Sequence, residues 1–146
     1  TIDILPTVAE LTGAKLPKHK IDGKSIVNLV KGTSAESPQE AYYFYYGKQL
    51  QAIRMGKWKL HFPHGYRTMS GKPGGKGGIP SGYSQSRIGL SLFDLDMDIG
   101  ETTDVKEKHP KILAKMQQLG EAMREELGDN KRQGKGQRQP GHLIAR

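Results

Sequence analysis

From Ala41 to Phe62 side-chain character changes with a period of two, and this alternation restricts the fold more than any other feature of the sequence. Trp58, Leu60 and Phe62 fall on one side of an extended segment and Lys57, Lys59 and His61 on the other. That is the pattern of a sheet with one buried face. Tyr42 to Tyr46 is too aromatic for a surface helix, and Leu50 to Met55 reads as a strand joined to the next by a tight hairpin at Gly56. Leu92 to Met97 restores the alternation, with Phe93, Leu95 and Met97 on one face, and supplies a fourth strand. Residues 65 to 89 hold many glycines and almost no apolar pattern, so a long mobile loop is expected there. Pro110 opens the longest helix, whose stripe of Ile112, Met116, Leu119, Met123 and Leu127 ends at Gly128 and should lie on the sheet. The expected fold is α+β: a small antiparallel sheet of about four strands packed against a long C-terminal helix.

Upstream, Asp3 is placed to cap a helix over 4 to 12, with Pro6 in its first turn and Leu5, Val8 and Leu11 at helical spacing. The Asp22-Gly23 turn opens a second, short helix through Ile26, Leu29 and Val30 to Gly32, and residues 33 to 40 read as a linker. With 146 residues and 34% hydrophobic content, the chain is lean for a core built alone. Thr1 follows no initiator Met and begins no signal-peptide pattern, so the amino terminus is expected to be a cut. No apolar run approaches the roughly 18 residues of a membrane span. The formal charge is +8, and half of that surplus lies in residues 129 to 146, a basic tail expected to be disordered.

Several motifs fail as reaction centres. Gly23-Lys24-Ser25 ends like a phosphate-binding loop, but the required upstream glycine is Lys18. The glycines at 74 to 78 lack both the upstream glycine and the hydroxyl residue. Asp94, Asp96 and Asp98 open like a calcium loop, yet Ile99 and Val105 stand where glycine and glutamate are needed. Cysteine is absent, which excludes thiolate nucleophiles and disulfides. No Ser-His-Asp order or nucleophile elbow is present. His61 and His64, three apart at the end of a strand, have the spacing of a metal pair with no third ligand evident.

Four blocks taken in order carry a resemblance: Asp3 to Thr7, Ile21 to Ser25, Ala52 to Leu60, and Leu92 to Leu95 running on through Gly100-Glu101-Thr102. Together they resemble the last part of a sulfatase of the alkaline phosphatase superfamily, over roughly residues 1 to 128, with the glycine stretch and the tail outside. The resemblance implies that residues 1 to 40 are the end of the α/β core and a linker, that 41 to 128 are the closing subdomain, and that an N-terminal catalytic core is missing. For the intact enzyme it implies calcium and a formylglycine made from Cys or Ser in Cys/Ser-x-Pro-x-Arg, a sulfate-ester substrate, and a periplasmic or secreted location. No metal ligand or catalytic residue is assigned within these residues. The family turn Asp-Pro-Gly-Glu-x-x-Asn stands here as Asp98-Ile99-Gly100-Glu101-Thr102-Thr103-Asp104, with Gly100 expected to supply the permissive backbone position.

The sheet alternation turns Lys59 and His61 away from the core, and His64 follows where the strand ends. These three are the candidate substrate-binding residues: the resemblance implies a cleft wall after this strand, with His61 or His64 as a rim donor to a sulfate group and Lys59 offsetting its charge. The competing function is a free-standing basic module binding RNA or another polyanion through the tail and the Lys57/Lys59 face, but charge runs are commonly solvated surface, which argues against nucleic acid.

Overall fold

The computed structural model describes residues 1 to 138, and they form two compact units, Thr1–Glu40 and the described residues from Ala41 onward. In the first, α1 (Ile4–Thr12) presents Ile4, Leu5, Val8 and Leu11 to solvent, each at least half exposed. Asp3 does not cap this helix with its side chain. Its own backbone is helical, and Oδ1 instead accepts the Lys24 amide at 2.8 Å and the Gln39 side-chain amide at 2.7 Å. Gly23 lies against the backbone of residue 2, where a Cβ would meet the Ile2 carbonyl oxygen at 2.0 Å, so close approach and not ligand binding explains that glycine. The short helix is α2 (Val27–Val30).

The second unit is a four-stranded antiparallel sheet, a long helix and two small hairpins. Strands β1 (Tyr42–Tyr46), β2 (Gln49–Met55), β3 (Trp58–His61) and β6 (Ser91–Asp94) pair in the order β1-β2-β3-β6. Helix α3 (Pro110–Leu127) covers one sheet face, where Leu50, Ile53, Leu60, Leu92 and Met116 are fully buried and Phe62 nearly so. Ile112, Leu119 and Met123 pack against this cluster as the helical stripe requires. Gly120 is also in this contact: a Cβ there would lie 2.4 Å from Phe62 Cζ. The fold class is therefore the α+β sheet and helix expected from the alternation.

Two local expectations fail. The fourth strand stops at Asp94 instead of Met97, because the Met97 and Asp98 amides turn back onto the Asp94 carbonyl, and Met97 is 84% exposed. Residues 65 to 89 are not a single loop. They form a hairpin of β4 (His64–Thr68) and β5 (Ser84–Ile88), paired from His64↔Ile88 to Thr68↔Ser84. Its side chains alternate little in hydropathy because it does not close the core, so backbone pairing carries it.

The first residues of the tail are also placed. A two-residue pairing of β7 (Gly128–Asp129) with β8 (Arg132–Gln133) folds the chain back along α3. The Lys135 and Gly136 amides reach the carbonyls of Glu125 and Glu126, both at 2.8 Å, satisfying groups that a helix end leaves open. Tyr45 donates to the Gly128 carbonyl at 2.9 Å, and Asp129 accepts the Leu50 amide and binds Arg124. The expected disorder therefore does not apply to 129 to 138; residues 139 to 146 lie outside the described residues.

Candidate functional site

Pairing of β3 with β2 and β6 sets Lys59 and His61 side by side on the sheet face opposite α3, next to Phe93 and Phe44. Antiparallel register fixes this neighbourhood, since residues two apart share a face. The turn after β6 then carries an acid over them. Asp98 accepts the amides of Thr102 and Thr103, each at 2.7 Å, and the turn places Glu101 with φ +56°. The left-handed position is thus taken by Glu101 and not by Gly100, as the motif had suggested; Gly100 itself has no positive φ. Glu101 Oε1 meets Lys59 Nζ at 2.5 Å and Oε2 meets His61 Nε2 at 2.6 Å.

The protonation states follow from these contacts. Burial is the largest influence on Glu101 and pushes its pKa up, but the hydrogen bonds from Lys59 and His61 outweigh it and hold the carboxyl below its ordinary range. Burial drives the His61 pKa down from its ordinary value, with the Glu101 contact offsetting only part of the effect. A carboxylate only accepts, so the neutral His61 carries its proton on Nε2. Its Nδ1 is then a buried lone pair with no partner among the described residues.

His64 opens β4 and is buried, its Nδ1 donating to the Phe62 carbonyl at 2.7 Å. Its ring stacks on His61, centroids 5.4 Å apart. His61, His64, Tyr66, Ile88, Gly100 and Glu101 line a hollow of about 300 Å³. The structure thus brings the three candidate residues together, and adds two that sequence reasoning missed. Glu101 lay in a motif valued only for its glycine, and Tyr66 in a stretch taken for loop.

Stability should respond to pH accordingly. A histidine with a lowered folded pKa resists protonation, so stability is lost as pH falls below its ordinary 6.5. The Glu101 contribution is present above its ordinary 4.5 and fades as pH falls through the lower folded value. The thermal midpoint is expected to be level above about pH 7 and to fall below it. In His61→Gln the first part of that decline should vanish, and an unchanged profile would contradict a neutral His61 beside an ionised Glu101.

The same geometry tests two wider expectations. Asp94 is paired with Lys57 at 2.7 Å, Asp98 is spent on its turn, and no group of three or more His, Asp or Glu among the described residues is arranged around a metal. Among the described residues nothing is arranged to hold the calcium of an intact sulfatase, and the sequence has no Cys or Ser in the motif that yields formylglycine. The polyanion module gains no support either, since Lys57, Lys59, Arg132 and Lys135 are each bound to an acid: Asp94, Glu101, Glu121 and Glu125.

The four-stranded sheet, its covering helix and the polar hollow beside the histidine pair define a small α+β subdomain. Comparison with known proteins gives its family: a family model for the C-terminal region of aryl-sulfatase matches residues 37–143, and the chain belongs to that family. The match takes in the hairpin and reaches into the tail, both of which the four sequence blocks had left out. Human arylsulfatase D is 32% identical over 85% of this chain, and mouse steryl-sulfatase 30% over 98%. The chain spans about a quarter of the length of such relatives, 23% and 24% respectively. A solved structure concerned with glycosaminoglycan metabolism by Bacteroides thetaiotaomicron shares the fold at TM-score 0.59, with 23% identity, over 83% of this chain and 24% of that one.

Proposed function

We propose that this chain closes a sulfuric ester hydrolase, and that its outer sheet face walls the sulfate-ester cleft of a catalytic core supplied by residues outside it. Residues 1–40 then belong to the end of the α/β core and its linker, 41–128 to the closing subdomain, and 129–146 to a basic extension. The exposed Ile4, Leu5, Val8 and Leu11 are suited to burial against that core. Calcium and formylglycine would reside in the core.

The observation that carries the site assignment is the Glu101 bridge between Lys59 and His61. With Nε2 committed to Glu101, the unpartnered Nδ1 of His61 becomes a donor to a sulfate oxygen or the leaving oxygen only when ligand binding uncovers it and brings a proton to it, which the arriving anion favours. Lys59 offsets the remaining charge. His64 is held by Phe62 through Nδ1, so Nε2 is the ring nitrogen left for a ligand.

The test uses the full-length enzyme containing this region. His61→Ala and His64→Ala should each cost about 1–3 kcal/mol in transition-state binding, read as kcat/KM. If both variants keep wild-type efficiency and thermal stability, the rim assignment is wrong. The 146-residue chain alone should turn over no aryl sulfate even with calcium added, since it has no Cys or Ser in the motif that yields formylglycine.

A further inference from the structure

Between Glu40 and Asp94 the chain carries eight Lys and Arg and not one Asp or Glu. Two of those lysines take their acids from outside the stretch, Lys57 from Asp94 and Lys59 from Glu101. The β4–β5 hairpin and its tip have no such arrangement: Arg67, Lys72, Lys76 and Arg87 meet no acid among the described residues. We propose that this hairpin is a docking element for an anionic lipid surface, with Ile79 entering the acyl boundary and the surrounding cations meeting headgroup charge. Such a contact does not depend on the cleft reading of His61 and His64.

The register of the hairpin sorts its side chains. Gly65 lies opposite Arg87 and Arg67 opposite Gln85, so both guanidiniums share one face, and all four residues are exposed. On the other face Thr68, Ser84, Ser86 and Ile88 are half-buried. Beyond Thr68 and Ser84 the connection is held by contacts of its own. The Lys72 amide reaches the Met69 carbonyl at 2.8 Å, and Lys76 pairs with Ile79, whose amide donates to the Lys76 carbonyl at 3.0 Å. Gly77 and Gly78 between them take φ +59° and +78°, the two left-handed positions of a type I′ turn. A Cβ at Gly75 would meet the Ile79 carbonyl oxygen at 1.9 Å, so glycine is what lets the tip close. The apex therefore sets Lys76 beside Ile79, which is 74% exposed, with Tyr83 54% exposed just before β5.

This is the composition of an interfacial element. An apolar side chain stands at the apex with a tyrosine behind it, and the lysine stems can follow apolar surface while their ammonium groups stay with the headgroups. Each cation near an anionic leaflet adds an attraction that salt screens. Nucleic acid would engage the cations and leave the exposed isoleucine with nothing to bury against. A protein partner needs a broad patch of side chains, and half of residues 71 to 82 are glycine. No helix among the described residues is long and apolar enough to cross a membrane, and docking by this tip requires none.

The test is sedimentation of the 146-residue chain with phosphatidylcholine vesicles, with and without phosphatidylglycerol. Binding is expected to the mixed vesicles alone and should fall as salt rises. Ile79→Asp should weaken it by about tenfold or more, and Lys72→Gln and Lys76→Gln by about fivefold each. Thermal midpoints should not move, because all three side chains are exposed. Leu11→Asp, also exposed but on α1, should leave binding as it was. Equal binding to phosphatidylcholine alone, loss through Leu11→Asp, or indifference to Ile79→Asp overturns the proposal. Duplex DNA at matched phosphate concentration should fail to displace the chain from the mixed vesicles; displacement would make the hairpin a general polyanion surface and overturn the lipid assignment.

Discussion

Replacing Phe62 by alanine is expected to cost about 3–5 kcal/mol of folding stability, and replacing Gly120 by alanine about 1–3 kcal/mol, yet the two losses should not add. Phe62 is 5% exposed and sits between the sheet and α3, with the Arg124 guanidinium 4.1 Å from its ring centre. A methyl group at position 120 would press on that ring at 2.4 Å and on Ile53 Cδ1 at 3.2 Å, in a helix with no slack toward the sheet. Alanine is otherwise the better helix former by about 1 kcal/mol. Once Phe62 is truncated the methyl group has room, so Gly120→Ala should become neutral or stabilising in the Phe62→Ala background. Urea midpoints of the four proteins give the coupling directly. Additive losses would mean that helix and ring do not touch as described.

Glu101→Ala should cost about 1–3 kcal/mol, because it strips two charge-assisted hydrogen bonds from a half-buried cluster and leaves Lys59 without its acid. Lys59 and Glu101 side chains are only 20% and 25% exposed, so solvent screens this pair less than a surface bridge. Glu101→Gly should cost less than Glu101→Ala, since φ +56° strains any residue with a Cβ and glycine relieves about 1 kcal/mol of it. The ordering of the two variants is the informative result: if glycine is the worse substitution, the backbone at 101 is not strained and the bridge alone sets the cost. Loss of Glu101 also removes the contact that supports the His61 proton, so the imidazole should titrate lower still.

Much of this fold is legible because its physical signals are local. Trp58, Leu60 and Phe62 alternate with Lys57, Lys59 and His61, and the apolar stripe from Ile112 to Leu127 recurs along the whole of α3, so each announces its own buried face. The hairpin over 64 to 88 gives no such signal: its strands read His-Gly-Tyr-Arg-Thr and Ser-Gln-Ser-Arg-Ile, and only the pairing between them makes a structure. The candidate site is legible in part for the same reason. Strand alternation alone turns Lys59 and His61 outward. Glu101 lies 40 residues from His61, and what joins them is a turn whose strained position falls on the acid instead of the neighbouring glycine. The placement of His64 likewise needed the strand that begins with it.

The return of the chain beyond α3 has a practical consequence for anyone dissecting this region by protease or by gene. The last helical residue is Leu127, an inviting place to cut. A break there would remove the acceptor of the Tyr45 hydroxyl, the carboxylate that receives the Leu50 amide, the counter-ion of Arg124 and the two amides that seal the carbonyls of Glu125 and Glu126. Each lost partner strands a polar group on the sheet or the helix end. Limited digestion of the folded chain should therefore leave Leu127 to Gly136 uncut, and a shortened polypeptide that keeps the core intact must extend past Gly136.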